Sequence, residues 1–123
     1  MELRDKVVVV TGAGSGIGAA LARRFSEESP AALVVADINA DSAKSVADEI
    51  GATSMQIDVA DPDDNARLVD ETEERFGPID LYCANAGIGF IGDEQTEFSE
   101  WDRMWQINTM SHVYAARHLI PGC

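Results

Sequence analysis

The sequence has few cysteines, few basic residues and no long hydrophobic segment, and each shortage excludes a class of protein. Two cysteines in 123 residues are too few for a disulfide framework, so we expect a reducing, cytoplasmic location. Nine Lys and Arg against 22 Asp and Glu give a formal net charge of −13, which disfavours partners such as nucleic acid or an anionic membrane. Apolar runs such as Val7–Val10 are far too short to span a bilayer, and we expect no signal peptide.

Short β-rich segments alternate along the chain with segments of helical periodicity. Strands are predicted at Lys6–Thr11 and Ala32–Asp37, and at residues 53–59 and 79–84. Helices are predicted at residues 16–28, 41–50, 62–76 and 99–120. The connections between strands are too long for hairpins, so the alternation requires a parallel sheet with helices on both faces. The fold class is therefore α/β, doubly wound, in a single domain over residues 1–123.

Apolar spacing and terminal residues also predict how the helices begin, end and pack. The third helix should begin after an Asp61 cap with Pro62 as its first residue and end at Gly77, and Gly51 should cap the second helix. The side chains expected to face the core are Ile17, Ala20, Leu21 and Phe25 in the first helix, Ala43, Val46, Ala47 and Ile50 in the second, and Ala66, Val69 and Phe76 in the third.

A glycine-rich turn, Thr11–Gly18, joins the first strand to the first helix. Glycine lets such a turn adopt unusual dihedral angles and lets a ligand approach the backbone closely. The free N–H groups and the dipole at the start of the helix attract a pyrophosphate. In this strand–turn–helix context, the turn predicts a dinucleotide-binding site.

Asp37 ends the second strand about 20 residues after the turn, where an acid accepts hydrogen bonds from the hydroxyls of an adenosine ribose. The alternative interpretation is that Asp37 only caps the turn that follows it. A 2′-phosphate would meet like charge at Asp37, and neither Ala13 nor Ser15 supplies a cation. We therefore expect NAD as the cofactor in preference to NADP.

Four motifs in order give the chain a close resemblance to the short-chain dehydrogenase/reductase family. The family's Thr-Gly-x-x-x-Gly-x-Gly turn is matched by Thr11, Gly12, Gly16 and Gly18. Its Asp after the third strand is matched by Asp58, which Val59 follows. Its Asn-Ala-Gly after the fourth strand is matched by Asn85, Ala86 and Gly87, and its helical Asn by Asn108. The resemblance implies a Rossmann-type sheet with strand order 3-2-1-4. It covers the NAD-binding half of a typical member, without the later strands, so the chain resembles a member truncated at its C-terminus.

The resemblance implies hydride transfer between the nicotinamide of NAD and a small-molecule alcohol or carbonyl substrate. The residues that would hold the pyrophosphate are Gly12, Ser15, Gly16, Ile17 and Gly18. Asp37 would bind the ribose, and Asp58 and Val59 would lie on either side of the adenine. The nicotinamide side of the cofactor would be lined by Asn85, Ala86 and Gly87. Asn108 would support the catalytic proton relay. Residues 88–91 either border the substrate pocket or pack as an ordinary loop, and both interpretations stay open.

The family's catalytic Ser and Tyr-x-x-x-Lys have no counterpart in the 123 residues. We therefore expect this chain to be an incomplete enzyme, inactive alone; the alternative is a non-catalytic dinucleotide sensor. An apolar edge at the fourth strand and an apolar face on the last helix predict a homo-oligomer. No metal site is expected, because His112 and His118 lack both metal-ligand spacing and a paired thiolate.

Overall fold

The computed structural model describes residues 3–85. The strands are Val7–Thr11 (β1), Ala32–Asp37 (β2), Thr53–Gln56 (β3) and Leu81–Cys83 (β4), and the helices are Gly16–Ser26 (α1), Ala40–Ile50 (α2) and Pro62–Phe76 (α3). All pairings between the strands are parallel, and the order across the sheet is β3-β2-β1-β4. The predicted doubly wound α/β fold and its 3-2-1-4 order are confirmed.

The sheet is buried on both faces because successive side chains of its central strands point in opposite directions. One face carries Val8, Val10, Leu33 and Val35, which pack with small and apolar residues of α1 and α2. The other carries Val9, Val34 and Ala36, which pack with Leu68 of α3. This two-sided burial explains why β1 is an unbroken run of valines rather than an alternating pattern.

The predicted helix ends agree with the structure where the sequence contains a strong terminal residue. Asp61 caps α3 by accepting a hydrogen bond from the Asp63 N–H at 2.9 Å, and Pro62 is the first helical residue. The same helix ends at Gly77. Gly51 caps α2 in the left-handed conformation, with φ of 70°, which glycine adopts without steric cost.

The predicted buried face of α1 is wrong at Ile17 and Ala20, whereas Phe25 packs against the core cluster and Leu21 is half-buried. Ile17 is 74% exposed and Ala20 is also exposed, whereas the buried residues of this helix are Gly18, Ala19 and Ala22. Ile17 was predicted to face the core because it is hydrophobic. In the structure, the helix turns its smallest residues towards the sheet and the glycine turn, so the larger Ile17 is exposed to solvent. The predicted faces of α2 and α3 agree better with the structure. In α3, however, Ala66 and Phe76 are only half-buried, and Leu68, which was not predicted to face the core, is fully buried.

The two outer strands are shorter than predicted, and hydrogen bonds to side chains lie beyond their ends. β3 ends at Gln56, and the Asp58 N–H donates to Asp64 Oδ2 at 2.8 Å. β4 begins at Leu81, and before it Asp80 forms a clasp with the start of β1. Val7 N–H donates to Asp80 Oδ2 at 2.8 Å, and Asp80 N–H donates to the Val7 carbonyl at 2.9 Å.

Candidate cofactor site

The predicted site residues gather at one edge of the sheet. Because all four strands are parallel, their carboxyl ends lie at the same edge, where ligands bind in open α/β sheets. The glycine turn follows β1, Asp37 ends β2, Asp58 and Val59 follow β3, and Asn85 follows β4. Of the other predicted site residues, Ala86, Gly87 and Asn108, together with residues 88–91, lie outside the described part of the chain.

Two glycines of the turn are required by the backbone itself. Gly12 and Gly16 have φ values of 64° and 58°, which side-chain-bearing residues rarely adopt. Between them, the Ala13 side chain is buried in the core and the Ala13 N–H donates to the Ala36 carbonyl at 3.1 Å. The turn is therefore fastened to the end of β2.

Gly18 is required by a close approach instead. A Cβ at this position would lie 2.0 Å from the Gly12 carbonyl oxygen and 2.6 Å from Asn85 Nδ2. Only a glycine allows the first turn of α1 to lie against the loop and the end of β4 at this distance. The absent side chain thus brings three segments of the site together.

Among residues 3–85, no side chain caps the N-terminus of α1. Ser15 is the N-cap residue, but its side chain makes no capping hydrogen bond, and the first turn contains no acidic residue. The backbone N–H groups of Gly16, Ile17 and Gly18 precede the first possible intrahelical donors. These groups and the helix dipole create a region of positive potential suited to a pyrophosphate.

Asp37 is half-buried and both of its carboxylate oxygens accept backbone hydrogen bonds. Oδ2 accepts from the Gly14 N–H at 3.0 Å, and Oδ1 accepts from the Asn39 N–H at 2.9 Å. The bond from Asn39 is the turn cap that the alternative interpretation expects. The bond from Gly14 adds a direct link between the end of β2 and the glycine turn. Capping the following turn therefore does not exclude a role for the same carboxylate at the glycine turn.

Thr11 joins the glycine turn to the end of β4, a role that the sequence did not reveal. Its buried hydroxyl accepts a hydrogen bond from the Asn85 N–H at 3.0 Å and donates to the Cys83 carbonyl at 3.4 Å. The Asn85 side chain in turn donates to the Gly12 carbonyl at 3.5 Å. The signals in the sequence were a hydroxyl residue at the end of an otherwise aliphatic strand and the match of Thr11 to the family's turn motif, and neither indicates its hydrogen-bond partners.

Asp58 and Val59 occupy the loop after β3, with different surroundings. Asp58 is half-buried and its Oδ1 accepts from the Ala60 N–H at 3.0 Å. Val59 is buried in the core cluster on the α3 side of the sheet, and its carbonyl accepts from Asn65 Nδ2 at 2.8 Å. The loop is therefore held firmly, and Asp58 is the more accessible of the two residues.

The ionisable side chains near the end of β4 are poor candidates for proton transfer. Burial raises the pKa of Tyr82 to about 12, and burial also raises the pKa of the Cys83 thiol. A catalytic acid or base works best with a pKa near the operating pH. Among residues 3–85, no group of three His, Cys, Asp or Glu side chains is placed to hold a metal ion, and no helix is long and apolar enough to cross a membrane.

A glycine turn at the carboxyl edge of a parallel 3-2-1-4 sheet, linked to an acid at the end of β2, defines a Rossmann-type fold. The family follows from comparison: a model described as short chain dehydrogenase matches residues 6–122, and the chain belongs to that family.

Individual relatives agree with this assignment. A versicolorin reductase from Emericella nidulans is 38% identical over 98% of this chain and 50% of its own length. A 3-ketoacyl-(acyl-carrier-protein) reductase from Brucella melitensis, solved with NADH, is 35% identical with a TM-score of 0.91, covering 97% of this chain and 50% of that one. A metagenomic short-chain oxidoreductase, solved with NADP, is 28% identical with a TM-score of 0.91, covering 98% and 57%. The chain spans about half the length of the curated relatives it matches.

Proposed function

We propose that this chain is the NAD(H)-binding part of an oxidoreductase that transfers hydride between the nicotinamide and a small-molecule alcohol or carbonyl compound. The observation that supports it most directly is the Asp37 carboxylate, held beside the glycine turn by the bond from Gly14. Relatives solved with NADH and with NADP support a nicotinamide dinucleotide of either kind. The choice of NAD rests on Asp37.

The geometry of Asp37 suits a ribose diol. A carboxylate has about four lone-pair sites, and two of them accept the N–H groups of Gly14 and Asn39. The remaining sites can accept the 2′- and 3′-hydroxyls of the adenosine ribose. A phosphate on the 2′-oxygen would remove a donor and add negative charge, and residues 12–18 and 37–43 contain no Lys or Arg to offset it. This juxtaposition of like charges should cost about 1–3 kcal/mol.

The other site residues take the roles that the family pattern gives them. Gly12, Ser15, Gly16, Ile17 and Gly18 surround the pyrophosphate, Asp58 and Val59 flank the adenine, and Asn85, Ala86 and Gly87 line the nicotinamide side. When bound, the cofactor supplies the hydride chemistry. Asn108 supports the proton relay but cannot itself give up or take a proton near neutral pH. No Tyr-x-x-x-Lys occurs in the 123 residues, so we propose that this chain binds dinucleotide without turnover when it is alone.

Calorimetric titration of NAD⁺ and NADP⁺ tests the cofactor choice. The unmodified protein should bind NAD⁺ more tightly, and Asp37→Ala should remove most of the preference, a change of about 5- to 150-fold in the affinity ratio for 1–3 kcal/mol. Asp41→Ala is the matched control, because it removes the same charge from an exposed position in the first turn of α2. Equal affinities for the two cofactors in the unmodified protein, or alcohol oxidation by the 123-residue chain, would contradict the respective proposals.

A further inference from the structure

Gly14 is a glycine that the family's turn motif leaves variable, and its backbone does not explain it. Unlike Gly12 and Gly16, it has no positive φ, so the conformation itself would accept a side chain. The exceptional feature of Gly14 is the space beside it. A Cβ would lie 2.8 Å from the Ser42 Cβ and 3.0 Å from both Cγ and Oδ2 of Asp37.

The same residue also holds the carboxylate by its N–H group. The Gly14 N–H donates to Asp37 Oδ2 at 3.0 Å, while the Asn39 N–H holds the other oxygen at 2.9 Å. Hydrogen bonds to a charged group are roughly twice as strong as those between neutral groups. The carboxylate is therefore fixed from two sides, and the missing side chain at position 14 is what lets it lie this close to the turn.

We propose that Gly14 is a positioning residue that sets the NAD/NADP preference by holding the Asp37 carboxylate against the glycine turn. The inference rests on the proposed role of Asp37 at the ribose. A methyl group at position 14 would lie 3.0 Å from both Cγ and Oδ2 of Asp37, so the carboxylate must shift away from the turn by a few tenths of an ångström and its alignment with the ribose is disturbed. The ribose hydroxyls then lose their acceptor, whereas a 2′-phosphate loses its repulsion. Affinity for NAD⁺ falls, and affinity for NADP⁺ does not fall with it.

The experiment is a double-mutant cycle in the full-length protein, combining Gly14→Ala with Asp37→Ala and titrating both cofactors. Gly14→Ala should lower the affinity for NAD⁺ about 10-fold, as expected when hydrogen bonds to a charged acceptor are lost. In the Asp37→Ala background, Gly14→Ala should leave the NAD/NADP ratio unchanged, because residues that act through one another are not additive. A ratio that moves equally in both backgrounds would overturn the proposal.

A second variant separates positioning from packing, because Gly14→Ala also crowds Ser42. Adding Ser42→Gly removes the atom at 2.8 Å and should bring the melting temperature to that of Ser42→Gly alone, which itself loses helix propensity, but the NAD/NADP ratio should stay low. Ser42→Gly alone is the control, and it should leave the ratio unchanged. Recovery of both quantities in the double variant would show that Gly14 serves only the packing of α2, and would overturn the proposal.

One readout needs no cofactor and separates this inference from the proposed function. In the free protein, Asp37→Ala removes the acceptor of the Gly14 N–H, so amide hydrogen exchange at Gly14 should accelerate relative to the Asp41→Ala control. Unchanged exchange at Gly14 would overturn the positioning role even if the protein prefers NAD⁺. Equal binding of NAD⁺ and NADP⁺ with accelerated exchange would instead reject the ribose role of Asp37 and leave the bond intact.

Discussion

The N-terminus of α1 differs from the N-termini of α2 and α3 in how its backbone donors are satisfied. Asn39 Oδ1 accepts the Ser42 N–H at 3.0 Å at the start of α2, and Asp61 caps α3 in the same way. Both of these helices also carry acidic residues in their first turns, whereas α1 has neither a side-chain cap nor an acid there.

The difference shows where the protein leaves positive potential for a ligand. Acidic residues are abundant in this chain, with 22 Asp and Glu, yet residues 7–22 contain no charged side chain at all. Acids at a helix N-terminus stabilise the helix by interacting with its dipole. α2 and α3 use that stabilisation from their own side chains, whereas α1 has no such side chain at the place where we propose that the pyrophosphate binds.

Of the variants that test this comparison, Gly18→Ala should have the largest effect on stability and on dinucleotide binding. Helix propensity predicts that this change stabilises α1, but the added Cβ would lie 2.0 Å from the Gly12 carbonyl oxygen. We expect a loss of stability at or above the upper end of the roughly 1–3 kcal/mol seen for overpacking, together with loss of dinucleotide binding. Thermal unfolding and titration with NAD⁺ measure the two effects.

Ala20→Gly is the control for that experiment, because Ala20 lies on the exposed side of α1. It should cost only about 0.5–1 kcal/mol through helix propensity and leave binding intact. If Gly18→Ala proves stabilising, the close approach of α1 to the glycine turn is not what requires a glycine.

A smaller effect, with opposite signs in its two readouts, is expected from Ser15→Asp. This change gives α1 an acidic N-cap like Asp61 of α3, so the free protein should gain about 0.3–1 kcal/mol. The same charge faces the pyrophosphate, and affinity for NAD⁺ should fall about 10-fold. Ser45→Asp, at an exposed position of α2, is the matched control for charge. If Ser15→Asp raises both the stability and the affinity for NAD⁺, the N-terminus of α1 is not where the pyrophosphate binds.

The smallest effect is expected from Asp61→Ala, which removes the cap of α3. The free energy of unfolding should decrease by about 0.5–2 kcal/mol, because the Asp63 N–H loses its acceptor. Affinity for NAD⁺ should not change, since this helix end is satisfied within the protein. A decrease in affinity that exceeds the loss of stability would place α3 in the ligand site and break the comparison.

Local signals in the sequence account for the elements that were predicted correctly. Pro62 and Gly77 bound α3 because proline and glycine restrict or free the backbone wherever they occur. The valines of β1 predicted a strand buried on both faces, and the alternation of its side chains between the two cores follows from strand geometry. The predicted face of α1 was wrong at Ile17 and Ala20 because periodicity ranks Ile17 above Ala19 and carries no information about how close the helix must come to the sheet.

The links within the site were beyond the reach of local patterns. Thr11 and Asn85 are 74 residues apart in sequence, and Gly14 and Asp37 are 23 apart. Such bonds exist only after the sheet has brought the strand ends together. The sequence predicted Gly12, Asp37 and Asn85 as site residues, but it could not show that hydrogen bonds join the loops that carry them.

The Asp80 clasp at the opposite edge of the sheet has a consequence for strand register. β4 has three residues, and Tyr82 faces one core while Leu81 and Cys83 face the other. A slip by one residue would exchange those faces and move Asn85 about 3.3 Å along the strand direction. Such a short strand has few ladder bonds to prevent a slip. Its alignment with β1 is therefore fixed by Asp80 at one end and by the Thr11 hydroxyl at the other. The bonds between Asp80 and Val7, although remote from the cofactor edge, thus help to determine where Asn85 lies.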